Sequence, residues 1–312
     1  MAESITVFAP ATVANVACGF DALGFALHKP GDKIVARRIS GNEVVISKIT
    51  GEEGKLPLEA DRNTAGVSVK ALLQKLGIQQ GIELEIHKQM PLGSGLGSSS
   101  ASSGGAVFAA NELLGRPLEK KELLPFAMEG ERIACGAAHA DNVAPSLLGG
   151  FTLVRSYHPL DVITLPFPED LFCAVIHPHV QILTEDSRRV LRRRVRMEDA
   201  ITQWSNLGGL ISGLYEKDYD RIAASLTDVI FEPIRSLLIP GFDQIKAAAI
   251  QSGALGCSIS GSGPSVFALC RGSETAEKAA KNMQDNLADF GLDSDIYVSA
   301  INPHGTVIID EN

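Results

Sequence analysis

Apolar residues in this chain recur at the two-residue period of a strand and the three-to-four-residue period of a helix, in short segments that alternate from the start. Ile5-Thr6-Val7-Phe8 reads as a strand. Lys33 to Arg38 and Glu43 to Ile49 predict two strands paired across Ser40-Gly41-Asn42. From Asp61 an amphipathic helix follows, with Val67, Val69, Leu72, Leu73 and Leu76 as apolar positions and Gly77 closing it. Ile82, Leu84 and Ile86 form a strand that runs into Pro91-Leu92-Gly93-Ser94-Gly95-Leu96-Gly97-Ser98-Ser99-Ser100-Ala101. Helical spacing then continues through Val107, Phe108, Ala109, Ala110, Leu113 and Leu114, and after Gly115-Arg116-Pro117 a second helix is expected from Glu119 to Ile133.

Strands are predicted at Phe151 to Arg155 and Val162 to Leu165, and Pro159, Pro166 and Pro168 mark a boundary between units of residues 1–166 and 167–312. The second unit opens with a strand at Leu171 to Ile176. A helix is expected from Thr184-Glu185-Asp186-Ser187-Arg188 on through Arg189, Arg192, Arg193, Arg194 and Arg196. Helices at Glu198 to Tyr215, Tyr219 to Val229 and Phe242 to Ser252 precede a hairpin from Cys257 to Leu269 around Ser260-Gly261-Ser262-Gly263-Pro264-Ser265. A helix at Thr275 to Leu287 and a strand at Asp295 to Ala300 complete an α+β outline without tandem repeats.

Composition narrows the class. A length of 312 residues, 45% hydrophobic, with mean hydropathy +0.11, is enough for about two cored domains. The net charge of −9 and pI near 5.3 repel nucleic acid and anionic membranes, so any anionic ligand needs a local site. Cys18, Cys135, Cys173, Cys257 and Cys270 are odd in number and form no CxxC pair, which points away from a disulfide framework or zinc and toward a reducing, cytoplasmic setting. Met1-Ala2-Glu3-Ser4 has no basic n-region, and the uncharged windows Pro91 to Asn111 and Ala247 to Cys270 are too rich in Ser, Gly and Pro to span a membrane.

The glycine-rich stretch carries the sharpest chemistry. Gly93, Gly95 and Gly97 can adopt backbone angles that let N–H groups converge on an anion, and the helix that follows directs its positive end there. A phosphate is the expected ligand. The loop lacks the Gly-Lys-Ser/Thr of a Walker loop and has Ser98 where a dinucleotide fingerprint requires Gly. A flexible linker is the competing reading, and the unbroken helical spacing behind it argues against that. Other candidates have bland readings beside the sharp ones. Asn15 and Asp21 around Gly19 either cap local turns or face a site, and Glu129 and Glu131 fit a solvated helix end. His139, Asp141 and Asn142 fit a helix cap with a satisfied histidine; the arginines fit a solvated face with one member turned inward.

Taken together, Pro10-Ala11-Thr12-Val13-Ala14-Asn15 with Gly19-Phe20-Asp21, the Pro91 to Ala101 loop, and Ser260 to Ser265 resemble the three ordered motifs of the GHMP small-molecule kinases. His139-Ala140-Asp141-Asn142 and Glu232-Pro233-Ile234-Arg235 add to the resemblance, which spans nearly the whole chain. It implies a two-domain GHMP kinase fold: an N-terminal ATP-binding domain of ribosomal-protein-S5-like type and a C-terminal ferredoxin-like α/β sandwich. It further implies ATP wrapped by residues Pro91, Leu92, Gly93, Ser94, Gly95, Leu96, Gly97, Ser98, Ser99, Ser100 and Ala101, with Asn63 at adenine and Mg²⁺ on Ser99 and Glu131. The branch it matches phosphorylates the side-chain hydroxyl of L-homoserine, a step of threonine biosynthesis, and a homodimer is the expected assembly.

By the same resemblance, Arg188 and Arg235 hold the substrate carboxylate, Asp21 the ammonium, and Asn15, His139 and Asn142 orient the amino acid; Gly261, Ser262 and Gly263 shape the pocket from the second domain. Other branches of that family carry a Lys or Arg near the first motif that works with an Asp on the hydroxyl; here no Lys or Arg precedes Lys29 and Asp21 is taken by the ammonium, so the resemblance implies direct in-line transfer without a strong dedicated base. Ala17 and Cys18 stand where relatives commonly carry Gly and then a small residue or Pro, which bears on the size of the acceptor pocket and on exposure of a thiol. Three rival readings stand: a family member acting on a mevalonate-type acid or a sugar, an oxidoreductase using the glycine loop, and a catalytically silent binding relative.

Overall fold

The computed structural model describes residues 3–136, 139–182, 184–192 and 194–311; Arg193 of the arginine cluster lies outside them. The chain begins with two long strands, β1 (Ser4–Ala14) and β2 (Leu23–Ile39), that pair antiparallel. It continues through β3 (Val44–Thr50), α1 (Thr64–Leu76), β4 (Gly81–His87), α2 (Ser98–Leu113), α3 (Leu124–Cys135), α4 (Val143–Leu148), β5 (Phe151–Tyr157) and β6 (Leu160–Leu165). The remainder is β7 (Leu171–Pro178), α5 (Thr184–Arg189), α6 (Met197–Glu216), α7 (Tyr219–Ser225), α8 (Glu232–Arg235), α9 (Phe242–Gln251), β8 (Gly256–Ile259), β9 (Val266–Arg271), α10 (Ser273–Ala288), β10 (Ser294–Ala300) and β11 (Val307–Glu311).

Among the described residues, one sheet runs β11-β1-β2-β4-β3, with β5 on the start of β2 and β6 beyond it; a second runs β10-β7-β9-β8. The expected boundary near residue 166 falls between β6 and β7, which belong to different sheets, and β11 returns to pair with β1. Helix α2 buries nearly its whole circumference, and its Ser, Gly and Ala residues let it lie close between α1 and the strands. That packing explains a helix with no polar face, whose one charged residue, Glu112, lies in its last turn. Four cysteines, Cys18, Cys173, Cys257 and Cys270, are buried and free.

Several expectations need correction. β3 does not form a hairpin with β2; it lies parallel to β4, whose Ile82, Leu84 and Ile86 are buried in the core and which itself pairs with β2. β1 runs past the expected Phe8 to Ala14, with Pro10 accommodated by a shift of register between Pro10 and Thr12. The arginine segment is not one helix: α5 ends at Arg189, and Arg192, Arg194 and Arg196 are exposed. α7 ends at Ser225 rather than Val229 because the Asp228 carboxylate accepts from the backbone N–H groups of Ile230, Phe231 and Glu232, starting a new turn. β11 had no counterpart in the sequence reading.

Candidate functional site

The glycine loop closes at the mouth of a cleft of about 390 Å³ between the two sheets. Gly93, Gly95 and Gly97 all have positive φ. Two of them are fixed by contact as well. A Cβ on Gly95 would lie 2.4 Å from the Ser260 carbonyl oxygen, and one on Gly97 2.0 Å from the Thr12 hydroxyl. The loop is tied to both other motifs: Thr12 N–H donates to Leu96 O, the Ser260 hydroxyl donates to Gly95 O at 2.7 Å, and Ser265 N–H donates to Ser94 O. Gly261 N–H donates to Ala14 O. Three segments far apart in sequence are thereby stitched into one rim.

Leu92, Gly93, Ser94, Gly95, Gly97, Ser98 and Ser99 line the cleft, whereas Leu96, Ser100 and Ala101 are buried beneath the loop and, like Pro91, form no part of its wall. Behind the loop the Lys88 ammonium is enclosed by Asp32, the Ser98 carbonyl at 2.7 Å and the Ser102 hydroxyl at 2.9 Å. The other Asp32 oxygen accepts from the N–H groups of Gln89 and Met90. Burial draws the Lys88 pKa down, and Asp32 opposes it. The buried pair joins β2, the start of the loop and the first turn of α2. Sequence reasoning missed it; the available signal was a lone Lys next to twenty-three uncharged residues.

At the head of α2 the Ser99 hydroxyl donates to Glu131 Oε2 at 3.2 Å. Glu131 is buried, and desolvation lifts its pKa to about 7. The two hard oxygen donors, side by side at the phosphate loop, fit a cation of the Mg²⁺ type that keeps few protein ligands. No cluster of three or more His, Cys, Asp or Glu ligands occurs among the described residues, so such an ion would draw its other ligands from phosphate and water.

Opposite, the Arg188 guanidinium grips the Asp21 carboxylate through two nitrogens at 2.9 and 3.3 Å. His139 Nδ1 lies 3.9 Å from Asp21, and burial lowers the His139 pKa, leaving a neutral ring at pH 7. Arg235 is buried under the Phe20 ring, its carbon 4.7 Å from the centroid, and donates to the carbonyls of Ser187 and Gly261. Phe20 in turn stacks on Phe231 at 3.7 Å. Burial pulls the Arg235 pKa to about 10, still charged at neutral pH.

Not every expected residue presents its side chain to the cleft. Asn15 spends both ends of its amide on backbone, donating to Gly261 O and accepting from Asp21 N–H, each at 2.7 Å. Asn63 caps α1 through Ala65 N–H and donates to Pro57 O. The Asn142 oxygen accepts from Thr12. All three still border the cleft, as do Gly261 and Ser262, while Gly263 does not. Asp141, passed over in favour of its neighbours, lines the cleft with its pKa raised to about 7, chiefly by burial.

Asn15, Ala17 and Asp21 all hold positive φ, so the first motif is a strained turn that brings Asp21 to Arg188. Cys18 inside it is buried, with its thiol pushed up to about 12, which removes the expectation of an exposed, reactive thiol. Ala17 has φ of 45° and is buried, so Ala17→Gly relieves about 1 kcal/mol of backbone strain while losing a buried methyl worth about as much, and the thermal midpoint should barely move. A midpoint lowered by several degrees would mean that the turn carries no strain at this residue.

A family model described as "GHMP kinases N terminal domain" matches residues 63–150, and one described as "GHMP kinases C terminal" matches residues 210–289. The homoserine kinase of Chlorobium phaeovibrioides is 49% identical over 98% of this chain and 100% of its own length. That of Xylella fastidiosa is 39% identical over 99% of this chain and 95% of its own. The crystal structure of homoserine kinase from Cytophaga hutchinsonii superposes with a TM-score of 0.96 at 54% identity, covering 99% of this chain and 98% of that one.

Proposed function

The chain belongs to the GHMP kinases, and on that premise we propose that it transfers the γ-phosphoryl group of ATP to the side-chain hydroxyl of L-homoserine, giving O-phospho-L-homoserine for threonine biosynthesis. The observation that carries the choice of acceptor is the Asp21–Arg188 pair at the open side of the phosphate loop. An amino-acid zwitterion replaces that contact with one of each sign, its ammonium on Asp21 and its carboxylate on Arg188 and Arg235. A sugar offers neither charge and mevalonate only one.

In this reading the N-terminal unit, to about residue 166, holds the nucleotide, and the C-terminal unit supplies the arginines. Backbone N–H groups of the loop and the head of α2 receive the phosphates. Asn63 marks the adenine end. Ser99 and Glu131 would hold Mg²⁺, which would supply positive charge beside the phosphates. Lys88 and Asp32 keep the loop in register from behind. His139 and Asn142 orient the acceptor; Asn15 acts at one remove, fixing the turn that bears Asp21. No strong dedicated base is needed: as the acceptor O–P bond forms and the bond to ADP breaks, the hydroxyl proton passes to an oxygen of the transferred phosphoryl group, and alignment alone is worth on the order of 7–11 kcal/mol. The protein is proposed to work in the cytoplasm as a homodimer.

Asp21→Asn separates binding from base catalysis. The expected result is a KM for homoserine raised roughly 30-fold or more, the loss of one charged hydrogen bond, with kcat changed far less. A collapse of kcat at unchanged KM would make Asp21 the base.

A further inference from the structure

At the end of the second sheet nearest the phosphate loop, the register sets four polar residues in line. Asp295 on β10 pairs with His177 on β7. β9 begins with Val266 opposite Ile176, so the next residue opposite His177 is Ser265, just outside β9. Ser265 in turn faces Ser260, just beyond β8, whose N–H donates to Ser265 O at 2.8 Å. Side chains directly opposite one another on antiparallel strands share a face. The buried His177 ring accordingly sets its Nδ1 3.1 Å from the Ser265 hydroxyl. Asp295 is engaged by His179, whose Nε2 lies 3.0 Å from its carboxylate. Burial lowers the His177 pKa, so the ring is neutral at pH 7.

Ser260 and Ser265 hold two successive carbonyls of the phosphate loop. Ser265 N–H donates to Ser94 O at 3.2 Å, and the Ser260 hydroxyl donates to Gly95 O at 2.7 Å. A planar trans peptide points its C=O and N–H in opposite directions. The grip on the two carbonyls therefore turns the N–H groups of Gly95 and Leu96 away from the serine turn. Neither N–H meets a backbone acceptor among the described residues. The other side of the turn is secured by Asn15 and Arg235, which both donate to Gly261 O. His177 is the side chain that secures the Ser265 hydroxyl.

We propose that His177 is a positioning residue for phosphoryl transfer: through Ser265 it holds the serine turn in the place from which that turn aims the Gly95 and Leu96 N–H groups at the nucleotide phosphates. The proposal rests on the reading of the cleft as an ATP site. It touches neither phosphate nor acceptor, and acts only through the two carbonyls of the loop. A histidine that served packing alone would need no polar atom at Nδ1, and that difference can be measured.

Three variants of the full chain separate positioning from packing. His177→Phe keeps a ring but loses the polar atom, His177→Asn keeps a polar atom in the place of Nδ1, and Ser265→Ala removes the other partner with little change of volume. In calorimetry, His177→Phe and Ser265→Ala should each weaken ADP binding about 10-fold, the order of one lost buried hydrogen bond, and lower kcat/KM for ATP by as much. Combined, they should lose no more than either alone, because both delete the same contact. His177→Asn should recover most of the affinity. ADP affinity unchanged in both single variants, whatever their thermal midpoints, overturns the proposal. So does an additive loss in the double variant, or a His177→Asn protein no better than His177→Phe. A wild-type chain that binds no ADP overturns the ATP reading itself, and this proposal falls with it.

Discussion

Gly95→Ala should lower kcat/KM for ATP about 100-fold, the order expected when reacting groups are displaced by an ångström or so. The new methyl group meets the Ser260 carbonyl at 2.4 Å, and Gly95 already sits at φ of +80°. A carbonyl oxygen of the main chain cannot rotate aside as a side chain would. The loop must therefore back away from the third motif, breaking the bond from the Ser260 hydroxyl to Gly95 O and shifting the N–H groups meant for phosphate. Gly93→Ala is the matched control. Gly93 has the same sign of φ, but nothing lies within 4 Å of its added Cβ, so only about 1–2 kcal/mol of backbone strain is expected. Steady-state kinetics on both variants, with circular dichroism to verify folding, distinguishes contact from strain. Equal losses in the two would show that crowding against Ser260 is not what shapes the loop.

Glu131→Gln should lower kcat by roughly 10²–10³, the usual cost of deleting one preorganised electrostatic contact. It should also abolish the preference for Mg·ADP over free ADP in calorimetry. The acidity of this group gives a second signature. Folded Glu131 keeps its proton up to about pH 7, against 4.5 for an ordinary glutamate, so between those values the folded state binds more protons than the unfolded. Stability of the ligand-free protein therefore falls as pH rises from about 4.5 to 7, and Asp141, raised to about 7 in the same way, adds to that slope. Cation binding runs the other way, since it requires the carboxylate, and Mg·ADP affinity should climb as pH passes through 7. In Glu131→Gln the first slope should shrink and the second flatten. A pH-independent Mg·ADP affinity in the wild-type protein would remove Glu131 from the cation site.

Much of the cleft was legible because its residues break local rules. Alternating glycines ahead of a long helix of small and apolar residues have few uses apart from close backbone approach. Asn15 and Asp21 stood out as polar residues in an apolar run, and the strained turn they form accounts for that placement. What stayed hidden depends on distance in space. Lys88 looked like the end of a strand until Asp32, fifty-six residues earlier, closed on it. Arg235 and Phe20 are likewise joined only by the fold. β3 was assigned to β2 because neighbours in sequence usually pair, yet β4 inserted between them. The arginine cluster suggested one helix because no Gly or Pro between Arg189 and Arg196 marks where α5 stops.

Helix α6 shows the converse. Its exposed apolar row is plain in the sequence, but periodicity alone would have turned that row toward the core. The fold instead buries Gln203, which bonds Asp228 and Cys18 O, and leaves Trp204 outside. Only the structure shows that this row faces solvent rather than the core.

The central claim is that this cleft phosphorylates an amino-acid alcohol with ATP. Its most direct test is ADP release by the purified full chain with Mg·ATP against L-homoserine, mevalonate, galactose and L-serine, with the product identified by ³¹P NMR. ADP formed in step with O-phospho-L-homoserine, and little turnover with the other three, is the predicted result. Turnover of mevalonate or galactose in preference to homoserine, or none with any of the four, would contradict it.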